Sequence, residues 1–112
     1  MSLDIAHAFR VARQLKDDRD AWLAGLLHDV LEDTDLNADD LVASGVSSRV
    51  VETVVVLTKR PDEPYDRYIE RIRADELARR VKLADLQDNL VHTDEKEKPL
   101  RLRYENALRT LS

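Results

Sequence analysis

The chain has 112 residues, no cysteine and a formal charge of −5 at pH 7. That length suits one domain with its own core, and the lack of thiols excludes a disulfide scaffold, a zinc finger, an iron–sulfur site and thiol catalysis. Two glycines, Gly25 and Gly45, cannot build a glycine-rich phosphate loop, and the acidic balance argues against general nucleic-acid binding.

In chain order, helical periodicity recurs between breakers and strand alternation hardly at all, which predicts an all-α single domain over residues 1–112, a bundle of six to seven helices. Leu3, His7, Val11 and Leu15 mark a first helix over about 3–16. The carboxylates of Asp17, Asp18 and Asp20 suit the start of a second, running to about residue 31. Asn37 is an N-cap for a short helix ended by Gly45, and Ser47 or Ser48 caps the next, over about 49–58. Val50, Val51, Val54, Val55 and Val56 have strand propensity, but no partner strand exists elsewhere, so helix is expected. Pro61 and Pro64 break the chain before helices over about 65–73 and 75–91, and Pro99 opens a last one to Leu111.

Between Asp17 and Asp40 nine acidic residues accompany one arginine, while between Lys59 and Lys82 eight basic residues accompany six acidic ones. An acidic region concentrates divalent cations, and basic residues from elsewhere can receive an anion above them. Glu63/Arg67, Asp75/Arg79 and Glu76/Arg80 also stand at i,i+4 spacing, where each is an expected surface pair worth about 0.2–0.5 kcal/mol.

The segment 22–34 carries the chemistry. On an ideal helix, at about 100° per residue, Trp22, Leu23, Leu26, Leu27, Val30 and Leu31 cover one half, and Ala21, Gly25, His28, Asp29 and Glu32 the other. Small residues leading to a histidine and acids are not a solvated face. Gly25 in mid-helix costs about 1 kcal/mol relative to alanine, so it implies close approach by another element or a ligand. His28 is then a buried hydrogen-bonding residue at a tight crossing, or a ligand. His7 lies on the apolar stripe of the first helix, where a satisfied core histidine is the common case. Asp85 falls in residues 81–90, apolar on almost every side and expected to be buried, where a carboxylate without a cation would rather take up a proton. Two histidines and several acids at such positions are better explained together by one shared divalent metal.

The same residues resemble a known family. The order His7, His28-Asp29, Asp85 is similar to the H…HD…D metal signature of the HD-domain phosphohydrolases. Residues 7–12, HAFRVA, resemble the family's H-P-x-x-V-A segment; residues 26–34, LLHDVLEDT, resemble L-L-H-D-x-x-E-D-T; residues 81–90 resemble V-K-L-A-D-x-x-x-N-L. Together they resemble the branch that includes the (p)ppGpp hydrolase domain of the RelA/SpoT proteins. The resemblance implies a helical fold binding one divalent ion, typically Mn2+ with other transition metals possible, through His7, His28, Asp29 and Asp85. It implies that Glu32 and Asp33 position and deprotonate the attacking water. Imidazole mixed with carboxylate suits Mn, Fe or Zn better than Ca. Asn89, one turn after Asp85, is expected to touch the nucleotide sugar or to orient Asp85. Phosphate contacts are expected from Arg10 and Lys82, with Lys59, Arg60, Lys96, Lys98 and Arg101 as further candidates, and Tyr104 resembles a tyrosine that lies near the nucleotide in relatives.

One departure bears on substrate. In the family a longer N-terminal helix and a basic loop ending in P-Y-x-x-H-P precede the first metal histidine; here six residues precede His7 and Ala8 replaces the proline, so a shortened guanine-reading segment is expected. The expected function is metal-dependent hydrolysis of a small phosphorylated nucleotide, foremost 3′-pyrophosphohydrolysis of guanosine 3′,5′-bis(diphosphate). The alternatives are hydrolysis of another nucleotide, such as a nucleoside 5′-monophosphate, or a non-catalytic module that binds metal or nucleotide. No apolar run approaches a membrane span of about 18 residues and no signal peptide opens the chain, so a cytoplasmic protein is expected. An exposed Trp22 or Tyr68 would offer a homodimer surface, and His92 is read as a helix-end histidine.

Overall fold

The computed structural model describes residues 3–112, all helix and connecting turns. Asp4 accepts from the His7 amide and starts α1, Ile5–Arg13. Asp18 accepts from the amides of Asp20 and Ala21 and starts α2, Arg19–Leu27. The single turn α3, Val30–Asp33, follows. A reciprocal Asn37/Asp40 capping box opens α4, Ala38–Ala43, and Gly45, at φ +90°, takes the left-handed conformation after it. Ser47 caps α5, Ser48–Leu57; Pro64 precedes α6, Tyr65–Arg73; Asp75 caps α7, Glu76–His92; Pro99 lies in the first turn of α8, Lys98–Leu111. No helix among the described residues is long and apolar enough to cross a membrane.

The valine-rich α5 shows why burial outweighs propensity. A β-branched residue loses at most about 0.7 kcal/mol in a helix, whereas burying a valine or leucine side chain contributes about 1.5–3 kcal/mol. Val50, Val51, Val54 and Leu57 are all buried. α7 runs through the middle of the bundle and packs against α1, α2, α5, α6 and α8. Its buried residues, Leu77, Ala78, Val81, Ala84, Asp85, Leu86 and Asp88, accordingly recur along most of its length.

One element, the second helix, differs from the sequence expectation in two ways. The second helix does not continue to residue 31: it stops at Leu27, and His28-Asp29 forms a turn before α3. It also buries its small side rather than its larger apolar half: Ala21, Ala24 and Gly25 are buried, while Trp22 is 39% exposed. The reason is the crossing with α1. A Cβ on Gly25 would stand 3.2 Å from the Ala12 Cα and 3.1 Å from the end of Leu15, so the two helices approach more closely than larger residues would allow. Tyr68, unlike Trp22, is buried and offers no dimer surface.

The expected i,i+4 pairs also give way to tertiary partners. Glu63 receives both Nε and Nη2 of Arg71 at 2.9 Å, instead of pairing with Arg67. The same guanidinium donates to the carbonyls of Val56 and Thr58 and so closes the end of α5. Arg79 reaches the Leu111 carbonyl, and Arg80 reaches Asp17 and Asp18. A bidentate contact or an orphan helix carbonyl outweighs an exposed pair of a few tenths of a kcal/mol.

Gly25→Ala, which would add about 1 kcal/mol of helix propensity in an open helix, is expected to lower stability here by about 1 kcal/mol, because the Ala12 backbone must yield. A raised denaturation midpoint would show that α1 has room to move. Arg71 holds the Glu63 carboxyl down to about 2. Because the folded value lies below the unfolded one, the stability it contributes is full above the ordinary carboxylate range and is lost as pH falls toward 2. Glu63→Gln should therefore lower Tm at pH 7, with the gap to wild type closing between about pH 4.5 and pH 2.

Candidate metal centre and cleft

The site is assembled from three helices. α1 supplies His7, the end of α2 supplies His28, and α7 supplies Asp85 and Asp88; His7, His28, Asp85 and Asp88 are all buried. The break after Leu27 contributes Asp29. In an unbroken helix adjacent side chains diverge, so His28 and Asp29 could not face one point. Asp29 instead takes the N-cap position of α3 at φ −103°, ψ 0°, and makes no capping bond. Its carboxylate turns to His28, with Oδ2 3.2 Å from Nε2.

The hydrogen bonds orient both imidazoles. His28 Nδ1 lies 2.6 Å from the Gly25 carbonyl oxygen, which can only accept, so Nδ1 carries the hydrogen and Nε2 faces the site. His7 Nδ1 lies 2.6 Å from Asp88 Oδ2, and a carboxylate imposes the same choice. Both Nε2 atoms converge on Asp85 Oδ1, at 2.6 Å from His7 and 3.2 Å from His28. One ligand atom each from His7, His28 and Asp29 lie within 4.8 Å of one another. Two imidazoles with Nδ1 tied off, and two carboxylates beside them, are a donor set that fits a divalent transition metal.

Charge balance supports the same fit. Burial works against the charged form of Asp85, but Lys82, His28 and His7 outweigh it and hold its carboxyl well below the usual range. Burial likewise opposes protonation of His28, yet Asp29 and Asp85 push its pKa up to about 10. The carboxylates demand positive charge at this point, which protons supply without a metal and a cation supplies with one. Lys82 Nζ holds the other oxygen, Asp85 Oδ2, at 2.8 Å, and lies 5.2 Å from the centre of the Tyr68 ring. Tyr68 closes this side by donating to the Leu57 carbonyl at 2.6 Å.

A cleft of about 390 Å³ opens beside these groups. Asp29, Glu32 and Asp85 lie on its wall with three cations, Lys59, Lys82 and Arg103. All three tyrosines of the chain line it as well. Glu32 Oε1 accepts from the Lys59 amide at 2.7 Å. Lost hydration at its carboxyl raises the Glu32 pKa, the Lys59 amide opposes this, and the neighbouring charges of Asp29 and Asp33 add to the rise.

This arrangement of helices has a solved counterpart. The fold is similar to that of a metazoan ortholog of SpoT that hydrolyses ppGpp and plays a role in starvation responses. The TM-score is 0.80 at 25% identity, over 96% of this chain and 70% of that one. No protein-family model matches the sequence. No curated protein matches it either.

The residues singled out in the sequence divide into groups. His7, His28, Asp29 and Asp85 come together, and Glu32, Lys59, Lys82, Asn89 and Tyr104 share the cleft with members of that set. Asn89 Nδ2 approaches Asp85 Oδ1 at 3.4 Å. Asp33 sits on the turn α3, outside the cleft lining. Arg10 is also outside it, with Nε bound to Asp88 Oδ1 at 2.9 Å. Arg101 donates to the carbonyls of Leu90 and Thr93 and closes α7. Arg60, Lys96 and Lys98 are exposed, and none of the three is on the cleft wall. His92 ends α7, with Nδ1 at 2.9 Å from the Asp88 carbonyl.

Sequence reasoning missed Asp88. Its signal was present: an acid three residues after Asp85 shares the same face of the helix. Asp88→Asn, which keeps shape but weakens the partner of His7 Nδ1, is expected to lower Mn2+ affinity about 10- to 100-fold while leaving the chain helical. Metal titration with circular dichroism on the same samples checks it, and an unchanged affinity would remove Asp88 from the centre.

Proposed function

We propose that the chain is a divalent-metal-dependent hydrolase of a phosphorylated nucleotide, with guanosine 3′,5′-bis(diphosphate) as substrate and its 3′-diphosphate as the group removed. The observation that carries this reading is the convergence of His7 Nε2 and His28 Nε2 on Asp85 Oδ1, each ring oriented from behind by an acceptor at Nδ1. The fold likeness to a protein that hydrolyses ppGpp supports the choice of substrate.

His7, His28, Asp29 and Asp85 would hold the ion, with Mn2+ the first candidate. A divalent ion bound there supplies Lewis acidity, neutralising phosphoryl charge and acidifying water. The residues of the chain supply the rest. Glu32 Oε1 is anchored by the Lys59 amide, which leaves Oε2 to accept a proton from the attacking water. Its raised pKa makes it a better base than an ordinary surface glutamate. Lys59, Lys82 and Arg103 offset the charge of a polyphosphate that the acids alone would repel. Water adds its oxygen to the phosphorus bonded to O3′, the P–O3′ bond breaks, and O3′ takes up a proton, so that pyrophosphate and guanosine 5′-diphosphate with a free 3′-hydroxyl are released.

His28→Ala or Asp29→Ala is expected to lose both bound metal and hydrolysis. Glu32→Gln should keep the metal and lose about 10²- to 10⁴-fold in kcat. Elemental analysis and a pyrophosphate-release assay on ppGpp read the two effects separately. Metal-loaded protein that leaves ppGpp intact would overturn the substrate, and a Glu32→Gln enzyme of full activity would overturn the base.

A further inference from the structure

Tyr65 carries a polar atom that the fold does not use. Its hydroxyl oxygen is buried and has no hydrogen-bond partner among the described residues. Leaving such a group unpaired is costly, and phenylalanine would fill the same space without that cost. The contrast with Tyr68, one turn later on α6, is direct: that hydroxyl is satisfied by the Leu57 carbonyl. The Tyr65 side chain lies on the cleft that holds Asp29, Glu32 and Asp85. Burial raises the Tyr65 pKa, so the phenol keeps its proton at neutral pH and has a hydrogen to donate.

The surroundings define what would accept it. Arg103 is exposed, makes no ion pair among the described residues, and rests its guanidinium 4.5 Å from the centre of the Tyr65 ring. Lys82 lies on the same wall. A long, solvated arginine stacked on the ring can be drawn off by a stronger partner, since an exposed cation–π contact is weak compared with a charge-assisted hydrogen bond. An anionic oxygen answers both groups at once: it takes the guanidinium by charge and the hydroxyl by hydrogen bonding. A neutral base edge would answer the hydroxyl alone.

We propose that Tyr65 is a ligand-reading residue of the cleft, its hydroxyl donating to a phosphoryl oxygen of the bound nucleotide once Arg103 has turned from the Tyr65 ring to that same anion. This rests on the reading of the cleft as a nucleotide site. It assigns Tyr65 to ground-state binding, apart from the proton transfer at Glu32.

Tyr65→Phe separates this role from a structural one. The metal-free variant is expected to melt no lower than wild type. With Mn2+ its KM for ppGpp should rise about 10- to 100-fold, the loss typical of a hydrogen bond to a charged group, with kcat changed less than threefold. Inorganic pyrophosphate titrated into the metal-free protein should bind wild type and bind Tyr65→Phe more weakly by a similar factor. A KM and a pyrophosphate affinity both within twofold of wild type overturn the proposal, as does a Tm lowered by several degrees, which would mean that the hydroxyl serves the fold. Wild type that leaves ppGpp intact yet shows the pyrophosphate difference would overturn the nucleotide substrate and uphold Tyr65 as a phosphate reader. Wild type that takes neither ligand overturns both.

Discussion

A carboxylate buried in the centre of a helical bundle has to be matched by positive charge, and Asp85 sets that demand for the whole molecule. It stands on α7, which packs against five other helices, so its partners come from several sides. Lys82 takes one oxygen and the two imidazoles take the other. An uncompensated charge at this depth would cost several kcal/mol, comparable to the net stability of a domain this size. The placement of α1 and α2 around α7 therefore meets an electrostatic requirement as well as an apolar one. Gly25 serves both: its missing side chain lets α1 close on α2, and its carbonyl turns His28 toward Asp85.

The cleft answers the opposite requirement. A centre rich in acids repels any anion, and the chain offsets this by bringing cations to the cleft wall from three separate places, just after α5, the middle of α7 and α8. Acids and cations drawn from separate stretches of the sequence thus share one wall, with Lys82 bound directly to Asp85. Glu32 joins the two sets through the Lys59 amide.

Much of this was legible in the sequence, and the parts that were not share a cause. Caps and breakers placed most helix starts, because they act within one turn: Asp18, Asn37, Ser47 and Asp75 all cap where local chemistry predicts. The helical state of the α5 valines followed from the want of a partner strand. His7 and Asp85 stand out because polar groups interrupt apolar stretches, and His28 because small residues lead up to it on the half opposite the apolar one. What periodicity cannot show is a stripe that stops: the break after Leu27 costs no change in pattern, so the second helix reads as continuous to residue 31. Pairings across the fold were equally hidden. Arg71 to Glu63 and Arg10 to Asp88 span loops whose paths no local rule gives. Asp88 and Tyr65 were visible as residues but not as roles, since each depends on what lies opposite it.

The donor set also constrains how the molecule comes into being. His7 and Asp88 are 81 positions apart, and His28 and Asp85 are 57 apart. His7, His28 and Asp29 all lie within the stretch spanned by the first three helices, but Asp85 and Asp88 join them only when α7 has emerged and folded back onto α1. Such distant closures are slow relative to helix formation. The full donor set therefore exists only once α7 has packed against α1 and α2.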